Sequence, residues 1–199
     1  MEVWHGKSIA TPTPLTTDSV LKLYWPTDYE TEPKHPAHPF TQRFGARPEY
    51  YGKFKLPGHE GLDFRAPTDS NIYACANGVV TQVGWKKPGH AYGCAVRILH
   101  RVGVSDEQYE TIYAHMIEGS IRVGVGDIVF AHQIIGLADS TGNSDAPHLH
   151  LSLKKLGATA RGETKYPLDL VDPTPFIVSL RETHAAFLIT RRFPERGKQ

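Results

Sequence analysis

Histidine, aspartate and serine side chains with spacings that suit metal chemistry occur at distant places in this chain. Residues 148–153, with the sequence HLHLSL, fit a strand in which His148, His150 and Ser152 share one face and the leucines share the other. The leucine face suits burial against a core, whereas the imidazole face suits a metal site. Because the chain has 11 histidines in 199 residues, one such pair needs supporting context.

That context lies upstream in residues 57–65, PGHEGLDFR, where a histidine and a carboxylate are four residues apart. A proline and two glycines in this segment disfavour a helix, so we expect a loop that leads into a strand with Asp63 pointing outward. His59, Asp63 and His150 would then supply two imidazoles and one carboxylate. Three protein ligands with a fourth position open is the pattern of catalytic zinc, although this donor set also suits other divalent metals.

A third segment, residues 109–115 with the sequence YETIYAH, alternates as a strand does. The alternation predicts Tyr113 and His115 on one face and Ile112 and Ala114 on the other. His115 and His148 are not needed as ligands, which leaves both histidines available for proton chemistry.

Five segments taken together resemble the lysostaphin-type (LytM) zinc metallopeptidases of family M23. They are Phe44-Gly45, His59-Glu60-Gly61-Leu62-Asp63, Tyr113-Ala114-His115-Met116, Ser140-Thr141-Gly142-Asn143-Ser144 and Pro147-His148-Leu149-His150. They follow the family order, and the resemblance spans residues 40–177. It implies metal ligands at His59, Asp63 and His150, catalytic histidines at His115 and His148, and one Zn²⁺ per chain. It also implies cleavage of short peptide links in bacterial peptidoglycan.

Some positions depart from the family pattern. Thr68-Asp69-Ser70 stands where a glycine-containing turn is usual, Ala146 replaces a usual glycine, and Ser152 stands where glutamate is common. None of these changes removes a ligand or a catalytic histidine. They bear on substrate preference and loop shape rather than on the chemistry.

The histidines have distinct expected roles. With an unperturbed pKa of ~6.5, histidine can accept a proton from water near neutrality, and we assign that role to His148. His115 would orient the water or stabilise the oxyanion, and the two roles could be exchanged. Glu60 directly follows His59 and is expected to point away from it, so it receives no role.

Two other function classes remain open. A non-catalytic binding or activator module of the same fold would be marked by a missing ligand, and none is missing. A related zinc peptidase or amidase of the D-Ala-D-Ala type also has an H-x-H pair, but it spaces the first histidine and the aspartate further apart. The four-residue step from His59 to Asp63 disfavours that class.

Short alternating runs predict a mainly β fold, an antiparallel sheet domain with an open groove that carries the metal site. These runs occupy residues 78–85, 94–100, 109–115, 134–138 and 148–153. We divide the chain into a Pro-rich N-terminal arm (1–40), a metallopeptidase domain (41–177) and a C-terminal tail (178–199). Loops are expected to supply the groove walls, with substrate contacts at Tyr50, Tyr51, Tyr92, Tyr113 and Asn143, and with Trp85 and His90 nearby.

The amino-acid composition narrows the classes of molecule that this chain is expected to bind. Lys and Arg number 22 against 21 Asp and Glu, so neither a nucleic-acid nor a polybasic membrane surface is indicated. No apolar run is long enough to cross a bilayer. We expect a monomer, with Cys75 and Cys94 as buried free thiols.

The first residues lack the features of a secretory signal. Since the implied substrate lies at the cell envelope, we expect signal removal, a larger exported product or a phage route.

Overall fold

The computed structural model describes residues 20–28, 40–103, 107–156, 169–179 and 183. Strands dominate these ranges, and none of the helices found there is long and apolar enough to cross a membrane. The strands are β1 (Leu62–Arg65), β2 (Asn71–Tyr73), β3 (Gly78–Trp85), β4 (Cys94–Arg101), β5 (Gln108–Met116), β6 (Ile128–Val129), β7 (Ile134–Leu137), β8 (His148–Leu156) and β9 (Leu170–Val171). The helical turns are α1 (Pro48–Tyr51) and two 3-10 turns, Gly52–Phe54 and Thr174–Phe176.

One antiparallel sheet organises the site. Its strands lie in the order β1-β8-β5-β4-β3-β6, and β9 pairs with the far end of β8. The short strands β2 and β7 form a second antiparallel pair. The predicted mainly β, antiparallel fold is therefore confirmed, and the five predicted runs correspond to β3, β4, β5, β7 and β8.

Strand β8 separates the core from the site. Leu149, Leu151 and Leu153 are fully buried in the main hydrophobic cluster. His150 and Ser152 alternate with these leucines and lie on the opposite face, as expected for a strand of period two. One side of this strand thus anchors the sheet, and the other side presents polar groups at fixed positions.

Aromatic packing connects residues 20–28 to the strand that carries Asp63. The Trp25 ring stacks on Phe40 at 5.7 Å and meets Phe64 of β1 edge-on at 4.9 Å. Leu23 forms a parallel bridge with Ile177. Most of the predicted arm and tail lies outside the described residues, and the division of the chain at residues 40 and 177 stays a prediction.

Strand β5 contradicts the expectation that Tyr113 and His115 share a face. Tyr113 pairs with Val96 and Met116 pairs with Cys94, so two residues of β5 lie opposite one residue of β4. This is a β-bulge, and within it His115 takes a φ of 62°, a backbone region that residues other than glycine seldom adopt. The extra residue reverses the alternation. His115 consequently points to the site face, whereas Tyr113 points to the core.

Tyr113 is therefore not a groove residue, and that prediction was wrong. Its side chain is fully buried, and its hydroxyl lies 2.7 Å from Sγ of Cys75 and accepts a hydrogen bond from the Cys75 amide. Cys75 and Cys94 are both free and buried, as expected.

A buried histidine away from the site makes stability depend on pH. His100 is fully buried, its Nδ1 donates to the carbonyl of Asn77, and its Nε2 accepts from the Thr111 hydroxyl. Burial lowers the pKa of His100 to about 4, whereas an unfolded histidine has a pKa of ~6.5. The unfolded chain therefore binds this proton first as the pH falls. The contribution of His100 to stability is complete above pH ~6.5 and is lost between that pH and about 4, which amounts to roughly 3 kcal/mol.

We predict that the free energy of unfolding decreases less between pH 7 and pH 5 in His100→Gln than in the wild type, because glutamine has no proton to gain. Urea titrations at several pH values measure this slope. Thr111→Val removes the hydroxyl partner but keeps the imidazole, so this control should retain a steep slope. Equal slopes for wild type and His100→Gln would contradict the assignment.

Candidate active site

Three side chains converge where β1 and β8 pair. Nδ1 of His150 lies 2.9 Å from Oδ1 of Asp63 and 3.0 Å from Nε2 of His59. Nε2 of His59 lies 3.1 Å from the same Asp63 oxygen. All three side chains are buried, and their ligand atoms lie within 4.8 Å of one another. The fold thus brings together the three residues predicted as metal ligands, although His59 and His150 are 91 positions apart in the chain.

Strand register produces this convergence. Asp63 is the direct partner of His150 in the antiparallel pairing of β1 and β8, and directly opposed residues hold their side chains about 5 Å apart. His59 comes from the preceding loop, whose backbone bonds to Gly45 and Ala46 fix its position. Gly61 permits this loop to pass close to β8, because a Cβ there would clash with the carbonyl of Leu151.

Two further histidines border the cluster. The rings of His115 and His148 lie 4.8 Å apart, and Nε2 of His148 lies 3.5 Å from Oδ1 of Asp63. Nδ1 of His115 donates to the carbonyl of Thr141 at 2.7 Å, and Nδ1 of His148 donates to that of Ala146 at 2.7 Å. These bonds fix the tautomer of each neutral ring and leave Nε2 as the atom available for proton exchange.

Burial and charge separate the pKa values in the cluster. Burial would raise the pKa of Asp63, but hydrogen bonds from His148, His150 and His59 outweigh it and hold this pKa well below its usual range. Burial, with the neighbouring His150, lowers the pKa of His115 to about 3. Burial also opposes the charged form of His148, yet the hydrogen bond and charge of Asp63 prevail and raise its pKa. His148 therefore holds a proton more readily than His115 does.

The donor set fits a divalent cation. A buried carboxylate whose hydrogen bonds favour the ionised form faces two imidazole nitrogens, and zinc is bound in proteins by such nitrogen and oxygen atoms. The outer nitrogen of each ligand histidine is already engaged. Nδ1 of His59 lies 3.1 Å from the Arg43 carbonyl, and Nε2 of His150 lies 2.8 Å from the Ser152 hydroxyl. Engaged outer nitrogens of this kind orient metal-binding histidines.

The cluster lies in an open groove with a volume of about 390 Å³. Four predicted contact residues line it, namely Tyr50, Tyr51, Tyr92 and Asn143. Trp85 and His90 do not belong to its lining, although the His90 ring contacts that of Tyr92. Contact between any of these side chains and a substrate stays a prediction.

Sequence reasoning missed several groups that border the groove. Arg47 and Arg65 both line it, with the Arg47 guanidinium 4.7 Å from the centre of the Tyr50 ring. Gln42 donates to the hydroxyl of Tyr51. Glu60, which was given no role, also lines the groove and accepts a hydrogen bond from Tyr92. The only signal for Glu60 was its position next to His59. Neither arginine stands in a motif that the spacing arguments detect.

Known bacterial peptidases are similar to this chain in sequence. The chain is 38% identical over 122 residues to the DD-carboxypeptidase/endopeptidase Mpg of Neisseria meningitidis serogroup B, covering 59% of this chain and 24% of that protein. It is 31% identical over 133 residues to the glycyl-glycine endopeptidase ALE-1 of Staphylococcus capitis, covering 65% of this chain and 33% of that protein. The chain thus spans a third or less of the length of these curated relatives.

Among solved structures, a zinc-containing peptidase from Vibrio cholerae superposes with a TM-score of 0.55 at 25% identity, covering 82% of this chain and 41% of that one. The family model of peptidase family M23 matches residues 57–163, more than half of the 199 residues. The matched range includes the three converging side chains and both neighbouring histidines. The resemblance drawn from the five motifs is confirmed, and the chain belongs to peptidase family M23.

Proposed function

We propose that this chain is a zinc-dependent endopeptidase that hydrolyses peptide bonds in bacterial peptidoglycan, in a cross-bridge or a stem peptide. One observation carries the proposal. His59, Asp63 and His150 converge in an open groove, beside two histidines whose Nδ1 atoms are fixed by backbone carbonyls. Metal-assisted hydrolysis requires both a metal site and a nearby proton acceptor.

Nε2 of His59, Oδ1 of Asp63 and Nδ1 of His150 are the atoms that would hold one Zn²⁺ per chain. When bound, Zn²⁺ supplies Lewis-acid polarisation of the scissile carbonyl and lowers the pKa of a water molecule. The ionised state of Asp63, favoured by three imidazoles, provides the negative charge that the site needs.

His148 would accept the proton of the attacking water at Nε2 and pass it to the leaving amine. Its raised pKa suits a group that must take up a proton near neutrality, and its bond to Ala146 holds the ring in place. His115 would orient the water. Since Nδ1–H of His115 already donates to Thr141, neutral His115 offers a lone pair at Nε2, which favours water orientation over donation to an oxyanion.

The groove also suggests which peptides fit. Stem peptides carry free carboxylates, whereas glycine cross-bridges carry none along their length. Arg47 and Arg65 border the groove, and guanidinium groups bind carboxylates well. We therefore expect cleavage at a D-Ala-linked bond of a stem peptide to be faster than cleavage of a glycyl-glycine link. We further propose that the chain acts as a monomer at the cell envelope or outside the cell.

Defined muropeptides test this proposal. Mass analysis of the fragments released from D-Ala-linked dimers and from pentaglycine-bridged dimers identifies the bond that is cut. We predict that the zinc-loaded protein cuts the D-Ala-linked dimers faster, and that a chelator abolishes the cleavage. Faster release from the glycine bridge would refute the stem-peptide preference, and release from neither substrate would refute peptidoglycan hydrolysis.

Two alanine variants separate ligand from catalytic roles. Asp63→Ala should lower zinc affinity by more than about 100-fold, because losing a ligand costs more than losing a group that only hydrogen-bonds to a ligand. His148→Ala should lower turnover by about 10²–10⁴-fold, the usual contribution of a general base, while retaining zinc. Elemental analysis and chelator competition measure the metal. Unchanged zinc affinity in Asp63→Ala, or metal loss in His148→Ala, would contradict these roles.

A further inference from the structure

A hydrogen-bonded chain runs from the ligand His150 away from the metal side. Nε2 of His150 lies 2.8 Å from the Ser152 hydroxyl, which lies 3.3 Å from the Tyr92 hydroxyl. The Tyr92 hydroxyl in turn donates to Oε1 of Glu60 at 3.3 Å. Ser152 is fully buried, and Tyr92 and His150 are 8% and 5% exposed, so water has little access to these groups.

The bond from Tyr92 to Glu60 sets a direction for the other bonds in this chain. An ionised carboxylate only accepts, so Tyr92 must donate to Glu60. The Tyr92 oxygen then accepts from Ser152, because its single proton is already used. Ser152 then has only its lone pairs left to offer to His150, an arrangement that calls for a proton on Nε2. On the other side of the ring, Nδ1 lies 2.9 Å from the Asp63 carboxylate, which calls for a proton on Nδ1 until a cation takes that place. The carboxylate of Glu60 thus favours the Nε2–H tautomer of His150, in competition with Asp63.

That tautomer is the one that metal binding requires. A proton on Nε2 leaves the lone pair on Nδ1, the atom that faces Asp63 and His59. The Tyr92 ring also stacks on the His150 ring at 5.5 Å and 28°. The stacking restricts the tilt of the imidazole, and the hydrogen bond restricts its rotation.

The other ligand histidine is held differently. His59 uses the backbone carbonyl of Arg43 as the partner of its outer nitrogen, an acceptor that no side-chain substitution removes. His150 depends on the side chains of Ser152, Tyr92 and Glu60. The orientation of one ligand is therefore set by three residues that do not reach the metal themselves.

We propose that Glu60, Tyr92 and Ser152 form a positioning relay that holds His150 ready for Zn²⁺ through Nδ1. The inference rests on the proposed zinc site and extends it to three residues that are not ligands. It also reassigns Tyr92, which was expected to contact substrate, to the support of a ligand. The relay predicts that zinc affinity falls in a graded manner, most for the residue nearest His150.

Three variants test the relay. Ser152→Ala removes the hydroxyl beside Nε2 of His150, and we expect zinc affinity to fall about 10–100-fold, the usual effect of losing a group that hydrogen-bonds to a ligand. Tyr92→Phe keeps the stacked ring but removes the hydroxyl, so its loss should be smaller. Glu60→Gln keeps an acceptor oxygen and should lose least. Chelator competition on the purified full chain measures each affinity.

Matched controls and a tautomer measurement exclude a general loss of structure. Ser120→Ala and Tyr109→Phe remove hydroxyls that bond to Ile117 and Glu107, away from the cluster, and both should keep wild-type zinc affinity. Long-range ¹H–¹⁵N spectra of the zinc-loaded wild type should show His150 protonated at Nε2. Thermal melting of each metal-free variant reports folding separately.

The outcomes distinguish the relay from the enzymatic proposal. Unchanged zinc affinity in both Ser152→Ala and Tyr92→Phe, or coordination of wild-type His150 through Nε2, would overturn the relay even if peptidoglycan is cleaved. Graded affinity loss without peptidoglycan cleavage by the wild type would support the relay and refute the proposed substrate. If Ser152→Ala fails to fold, Tyr92→Phe and the wild-type spectrum still decide the question.

Discussion

The antiparallel pairing of β1 with β8 sets Asp63 directly opposite His150, and the site depends on that register. Burial would raise the pKa of Asp63, and the three imidazoles that face its carboxylate more than offset this effect. On the reverse face, Phe64 and the leucines of β8 are fully buried in the core. A shift of one residue in the register of β1 would exchange its two faces and place the Asp63 carboxylate in the hydrophobic core. Core packing and site geometry are therefore enforced by the same ladder of backbone bonds.

A second constraint is common to the site histidines, because each uses one ring nitrogen for support and leaves the other for chemistry. Three of them donate to loop carbonyls, and the outer nitrogen of His150 lies 2.8 Å from the hydroxyl of Ser152. The carbonyl partners belong to Arg43, Thr141 and Ala146. Backbone acceptors make the support independent of side-chain identity, whereas Ser152 makes the support of His150 depend on sequence. In the proposed relay the support of His150 therefore continues from Ser152 to Tyr92 and Glu60.

The alternation of apolar and polar residues predicted most of the strands, but it predicted less of the geometry of the site. The period of two in β8 correctly separated the leucines from His150, because both faces of that strand are regular. The same rule failed at His115, where a bulge with a φ of 62° reverses the alternation, so that His115 faces the site although Tyr113 faces the core. A bulge arises from pairing with another strand, here β4, and leaves no mark on the local periodicity of β5. The Tyr92 relay was likewise invisible, since it joins residues separated by 32 and 60 positions.

The central claim is that three side chains hold one cation through named atoms and leave a position open to the groove. The most direct measurement is X-ray diffraction from crystals of the zinc-loaded protein, with anomalous data collected on both sides of the zinc absorption edge. The account predicts one zinc peak per chain, bonded to Nε2 of His59, Oδ1 of Asp63 and Nδ1 of His150, with its remaining coordination facing the groove. A peak elsewhere in the chain, or a zinc ion enclosed by four protein ligands, would contradict it.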